Sequence, residues 1–307
     1  MSKRASTPAV RELLTPKQVA RAIGVSEASL KRWCDKGLIS AVRTAGGHRR
    51  LPLNGVIHYL RQSGQPLVRP EVLGLPPTTG TGETVQSASV QKIVAALEAG
   101  DEDQVRRLVF NLYLAGHTSC DLLDKIVAPA VHQLGEGWAH GDVEVYQERR
   151  GVEALLRTLY QLRQSLPSIS ADAPYAIGGT PEGDPYSLPT AMIEVVLREA
   201  GWRAESFGTN HPIATLCAAI RQRRPRLMWL SVSWVPSVAD FLIAYPELYD
   251  TAVEHGTALV VGGRALNEQV RQQMSYSAYC DNLRHLVAFA ATITPPPSVD
   301  QQPQPPG

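Results

Sequence analysis

The sequence predicts three architectures in one chain: a winged helix-turn-helix, a four-helix bundle, and a doubly wound parallel five-stranded sheet. Three observations carry this. Residues 13–51 hold two short, capped helical stretches followed by a Gly-Gly hairpin signal; residues 87–166 are helical in period throughout; from 173 short apolar runs alternate with amphipathic helices. A length of 307 residues suits two or three domains, and 44% apolar content is enough for packed cores.

In the first unit Thr15 can cap a helix that has Pro16 at its first position, where a missing N–H costs nothing. Val19, Ala20 and Ile23 form its apolar stripe, Gly24 ends it, and Ser26 can open the next helix. There Leu30, Trp33 and Cys34 share one face and leave Ala28, Lys31, Arg32 and Asp35 on the other. Gly37 closes this helix. RTAGGHRR at 43–50 then supplies a tight turn flanked by cations and an imidazole, and 52–62 can form a third helix packed through Val56, Ile57 and Leu60. Residues 1–65 carry twelve Lys and Arg against three acids, a net of +9, whereas residues 66–307 carry −8.

Such segregation points to double-stranded DNA as partner. Lys31 and Arg32 are the expected contacts to base edges or phosphates, with Arg43, Thr44, His48, Arg49 and Arg50 on the wing against backbone. A dimer or tetramer is expected, because one small reader buries too little surface for specific affinity. The order helix, turn, helix, GLI, then a wing containing GGHRR resembles the N-terminal domain of MerR-type regulators and excisionase-like proteins.

The reader is assigned to residues 1–63. Residues 64–86, rich in Pro, Gly and Thr, read as a flexible linker. Within 87–168, helices are expected at 88–99, 102–115, 118–136 and 142–165, punctuated by Gly100, Gly116 and Gly141. Within 173–293, strands are expected at 175–178, 203–207, 227–232, 258–261 and 277–280, with helices at 188–200, 211–223, 236–254, 265–273 and 282–292. The Pro/Gln-rich tail, 294–307, is expected to be disordered.

No run approaches a membrane span, and the basic start has no apolar segment behind it, so a cytoplasmic protein that binds no membrane is expected. Cys34, Cys120, Cys217 and Cys280 are far apart and form no C-x-x-C, so neither a disulfide framework nor a structural metal is indicated.

The succession of reader, bundle and sheet resembles the cobalamin-binding photoreceptor regulators of the CarH/LitR type over residues 14–292. Trp138 precedes Glu148 by a nine-residue gap, as in the family's Trp-x9-Glu-His motif, whose Trp covers the upper corrin face. Asp184 and Tyr186 follow the first strand where the family has Asp/Glu-x-His-x-x-Gly. Ser231 and Ser233 end the third strand and Gly262-Gly263 the fourth, where the family binds the nucleotide tail.

Three departures bear on the cofactor. The cobalt-ligating His of the family is Tyr186 here, a poor ligand as a neutral phenol; the His of Glu-His is Arg149; and Pro189 replaces a loop Gly. The resemblance thus implies a DNA-binding regulator, not an enzyme, with no catalytic residue and no protein-held metal. Its sensor or oligomerisation module would bind cobalamin weakly or not at all through a protein ligand. Trp138, Glu148, Asp184, Ser231, Ser233, Gly262 and Gly263 remain available to a base-on cobalamin or another ligand. Local readings stay open beside these roles: Trp138 as a core plug, Asp184 as a helix cap, the Gly pair as a strand-to-helix turn. The alternative is a corrinoid-binding subunit of a methyltransferase or mutase.

Overall fold

The computed structural model describes residues 13–75, 79 and 86–294. The reader comprises β1 (Leu13–Leu14), α1 (Pro16–Ile23), α2 (Glu27–Asp35), β2 (Val42–Arg43), β3 (Arg49–Pro52) and α3 (Leu53–Ser63). Its helices start as their caps dictate. The Thr15 hydroxyl accepts the Gln18 N–H at 3.2 Å while the Gln18 side chain accepts the Thr15 N–H at 2.8 Å, a reciprocal capping box. Ser26 accepts the Ser29 N–H at 3.1 Å to open α2. Leu30 is fully buried, and Trp33 packs on Tyr59 of α3 with ring centroids 5.3 Å apart. β3 lies between β1 and β2, antiparallel to both, so the wing is tied to the start of the domain.

The stretch expected to run free is packed over much of its length. The Val68 and Arg69 N–H groups both donate to the Ala22 carbonyl at 2.8 Å, Pro70–Leu73 form a 3-10 turn, and Leu67, Leu73 and Leu75 are buried. Gly24 makes this possible: a Cβ there would stand 2.8 Å from a Val68 methyl. Irregularly spaced leucines on an extended chain leave no period to detect. Residues 76–78 and 80–85 of that stretch, and the tail from 295, lie outside the described residues.

The bundle consists of α4 (Gln86–Ala99), α5 (Glu102–Leu114), α6 (Ser119–Leu122), α7 (Ala128–His140) and α8 (Val145–Ser165). Between α6 and α7 the helix continues through one π turn, Leu123–Val127, just ahead of Pro129, whose ring cannot donate back along an α ladder. The expected third helix of 118–136 is therefore a longer, irregular one. Ile93, Leu97, Val109, Phe110, Leu134, Leu155 and Leu159 fill the interior.

The C-terminal unit alternates β4 (Tyr175–Gly179), α9 (Ser187–Glu199), β5 (Arg203–Ser206), α10 (Ile213–Arg223), β6 (Leu227–Ser231), α11 (Val238–Glu254), β7 (Ala258–Gly262), α12 (Glu268–Arg271), β8 (Ala278–Tyr279) and α13 (Leu283–Ile293). All five expected strands are present and parallel, in the order β5-β4-β6-β7-β8. The last strand is two residues long, and the helix expected at 265–273 is one turn. Connections reverse direction beside β4, so the crevice at the carboxyl ends of β4 and β6 is the topological switch point where such sheets present ligand sites. No described helix is long and apolar enough to cross a membrane.

One close approach within the sheet leaves no room for a side chain. Gly178 in β4 lies under the buried indole of Trp229 in β6, and a Cβ at 178 would fall 2.3 Å from Trp229 Cδ2 and from its carbonyl oxygen. Gly178→Ala should therefore destabilise the chain by about 3 kcal/mol, the upper range for overpacking a filled core. Urea titration checks this; a loss below about 1 kcal/mol would mean the indole can swing away.

Candidate functional site

Two regions gather the chemistry, one on the reader and one at the sheet's switch point. On α2, Lys31 is exposed and paired with Glu27 at 3.0 Å, and Arg32 reaches the Ser29 hydroxyl at 3.3 Å; both side chains can turn outward at little cost. The wing turn is built by Thr44 and His48. Thr44 N–H donates to the His48 carbonyl at 2.9 Å, Gly47 N–H to the Thr44 carbonyl at 2.8 Å, and His48 N–H to the Thr44 hydroxyl at 3.2 Å. Gly47, at φ +78, occupies the left-handed position that this turn requires.

Arg43 and His48 are exposed. Arg49 is drawn inward instead: it donates to the Lys31 carbonyl at 3.0 Å and is ion-paired with Asp35. Arg49 thus straps the wing to α2, a role that the sequence reading missed because its partners lie 14 and 18 residues away. Arg50 is half-buried and donates to the Arg49 carbonyl at 3.1 Å.

At the switch point Asp184 is the organising residue. It is fully buried; one oxygen accepts the Tyr186 N–H at 3.0 Å, and the other accepts the Ser233 and Trp234 N–H groups at 2.6 and 3.2 Å. Burial raises its carboxyl pKa from the ordinary value, opposed by these three donors and by the Arg264 charge. The carboxylate therefore clamps the loop after β4 to the loop after β6. Gly183, at φ +84, lets Pro236 and Trp234 close over that loop, and its N–H donates to the Asn210 side chain at 2.7 Å.

Tyr186, half-buried, begins α9 with the Arg264 guanidinium 5.1 Å from its ring centroid. Arg264 also donates to the Ser233 carbonyl at 3.3 Å. The sequence reading missed both Arg264 and Trp234, the latter 45% exposed on the loop.

The other assigned residues divide between the sheet and the bundle. Ser231 is buried at the end of β6. A Cβ at Gly262 would meet the Cys280 carbonyl at 2.7 Å, and one at Gly263 the Val232 carbonyl at 2.3 Å, so this pair admits neighbouring backbone and leaves no open cradle. Trp138 is 49% exposed at the end of α7, which corrects the reading of it as a core plug. Glu148 lies in the first turn of α8, 3.5 Å from Arg149.

A cobalamin held through the protein with its nucleotide tail beside the first strand fits these residues poorly. Tyr186 offers no imidazole nitrogen. Beside β4, the Trp229 indole fills the space under α9, donating to the Thr190 hydroxyl at 2.8 Å, which in turn meets the Ser206 hydroxyl at 3.0 Å. Among the described residues, no group of three or more His, Cys, Asp or Glu could hold a metal ion.

Residues 13–64 match the family described as a helix-turn-helix domain, and residues 90–163 the one described as a B12 binding domain. The chain is 22% identical over 283 residues to the HTH-type transcriptional repressor CarA of Myxococcus xanthus, covering 88% of this chain and 94% of that protein. It is 25% identical over 193 residues to the HTH-type transcriptional repressor CarH of the same organism, 63% of this chain and 61% of that one. A trimethylamine corrinoid protein of Methanosarcina barkeri is 18% identical over 202 residues, 65% of this chain and 93% of the relative. The solved monomethylamine corrinoid protein of Methanosarcina barkeri shares the fold, with a TM-score of 0.58 at 14% identity over 68% of this chain and 100% of that chain.

The strap between wing and α2 is directly testable. Because the Asp35–Arg49 pair is partly solvated, Asp35→Ala should cost less than about 1 kcal/mol of stability. Amide exchange in β2 and the 44–48 turn should nevertheless rise. Unchanged exchange there would show that the β3 pairing alone holds the wing.

Proposed function

We propose that this chain is a DNA-binding transcriptional regulator whose C-terminal B12-type module serves as sensor or oligomerisation unit rather than as an enzyme. The observation that carries the reading is the reader itself: a net +9 unit in which α2, with Lys31 and Arg32 exposed, and a cationic wing are tied together by Arg49, so that both present to one duplex. Lys31 and Arg32 take base edges or phosphates, and Arg43, Thr44, His48 and Arg50 take backbone, with Arg49 holding the geometry. Similarity to CarA over 94% of its length supports the same assignment. Self-association to a dimer or tetramer supplies the second half-site.

A second reading, a corrinoid carrier subunit, draws on the likeness to methylamine corrinoid proteins. Tyr186 and the Trp229 plug weigh against it, since a methyl carrier needs its corrin held. The sensor module is accordingly assigned no protein nitrogen on cobalt. Base-on cobalamin, or another ligand at the Asp184–Trp234 crevice, remains compatible with it.

Sequencing the genomic fragments captured with the full chain should give discrete sites. Arg32→Ala should cost about 1–3 kcal/mol of affinity if it reads a base, whereas Arg43→Ala should weaken all sequences alike and reduce the salt slope by about 1. Absence of discrete sites, or capture indifferent to Lys31→Ala with Arg32→Ala, would sink the regulator reading.

For the cofactor, equilibrium dialysis with adenosylcobalamin in the dark should show no protein-ligated spectrum. Tyr186→His should bind better than the unmodified protein. Micromolar binding by the unmodified protein with nitrogen from the chain on cobalt would refute the assignment.

A further inference from the structure

α9 touches every part of the molecule that the proposed function needs to connect. At its start, Tyr186 sits in the loop clamped by Asp184. One turn on, Thr190 holds the Trp229 indole; a turn further, Glu194, nearly fully buried, is paired with Arg163 of α8 at 2.8 Å; Arg198 donates to the Ala204 carbonyl at 3.1 Å. These positions recur at intervals of four and line one face. At its end, Glu199 reaches the reader. One carboxylate oxygen accepts from Arg61, in the last turn of α3, at 3.1 Å; the other accepts both the N–H and the hydroxyl of Ser119, at the start of α6, at 2.6 Å each.

Arg61 completes a three-domain junction. Its second terminal nitrogen donates to the His117 carbonyl at 3.0 Å, and its guanidinium stands 3.8 Å from the centroid of the buried Tyr113 ring. α3 also packs against α8 and α5 of the bundle, and Asn54 donates to the Ser168 hydroxyl at 3.1 Å; the Arg61–Glu199 pair is its ionic link to α9. An acid in the last turn of a helix works against the helix's own dipole, so Glu199 is not there for α9's sake; it is held by the cation of one domain and the helix N-terminus of another.

We propose that α9 is the rod through which the state of the Asp184 crevice reaches the DNA reader, with the Arg61–Glu199 pair as its terminal contact. The proposal rests on the regulator reading and names its regulation. A helix of 13 residues is about 20 Å long, and one whose buried face is anchored at each turn moves as a body. Shifts of about 1–2 Å are the usual scale on which packed helices relay a change. A ligand or loop rearrangement that displaces Tyr186 therefore shifts Glu199 against Arg61 and reorients α3, which carries α2 and the wing.

The test uses hydrogen exchange on the full chain without DNA. Asp184→Asn loosens the clamp; Trp234→Ala, which keeps the backbone N–H on Asp184 but removes the indole beside Gly183, loosens the same loop more mildly if the first variant does not fold. Each is measured alone and combined with Arg61→Met, which keeps packing on Tyr113 but removes the ion pair. Loosening the clamp should raise exchange in α3 by about fivefold, the low end of coupling between sites. Arg61→Met should abolish that response while leaving the local rise around Tyr186 in place.

An α3 response of equal size in both backgrounds, or a local rise at Tyr186 with α3 unmoved, overturns the proposal. Because no DNA is present, the outcome is separable from the regulator reading. A chain that couples the two sites yet captures no genomic sites loses only that reading, and a chain that binds operators without coupling loses only this one.

Discussion

A buried indole resting on a glycine sets the geometry on which most of the molecule depends. Trp229 can lie flat against β4 only because Gly178 has no Cβ, and its N–H can be buried only because Thr190 of α9 accepts it. This contact ties α9 to β6, beside the packing of the helix's buried Met192, Val195 and Val196. α9 places Tyr186 over the switch point at one end and Glu199 beside the reader at the other. The Asp184 clamp and the Arg61 junction lie at the two ends of the helix that this ring helps to seat.

The local half of this structure was legible in the sequence. Caps at Thr15 and Ser26, glycine stops such as Gly24 and Gly141, and the apolar runs of the five strands are near-neighbour signals, and the elements they predict are present. What could not be read were pairings across long separations. Arg61 and Glu199 are 138 residues apart, Asp184 and Ser233 are 49 apart, and neither pair has a spacing that either residue betrays. Burial hid Trp229, which reads as one more apolar residue in a strand. The docking of Leu67, Leu73 and Leu75 was hidden by composition, because a Pro- and Gly-rich stretch looks like a linker whether or not its few leucines find a groove.

At the crevice, motif and geometry separate. The Asp184–Tyr186 segment lies at the carboxyl end of β4, at the sheet's switch point, and the bundle ahead of it matches a B12 binding domain over residues 90–163. Yet the groups now gathered there are a phenol under a guanidinium, an exposed indole and a buried carboxylate occupied by backbone donors. None of these groups is an imidazole nitrogen. The same fold is compatible with two chemistries, and the side chains at the switch point decide between them.

The π turn at Leu123–Val127 bears on how relatives of this chain should be aligned. It carries one more residue than an α turn, and with it Asp124 comes to accept the N–H groups of Leu283 and Arg284 at 3.0 Å each, capping α13 from another domain. Removing a single residue here would restore ideal pitch yet rotate everything beyond it by about 100° relative to what precedes it. A one-position gap at this point in an alignment would therefore mark the loss of an interdomain joint rather than a tolerated length change.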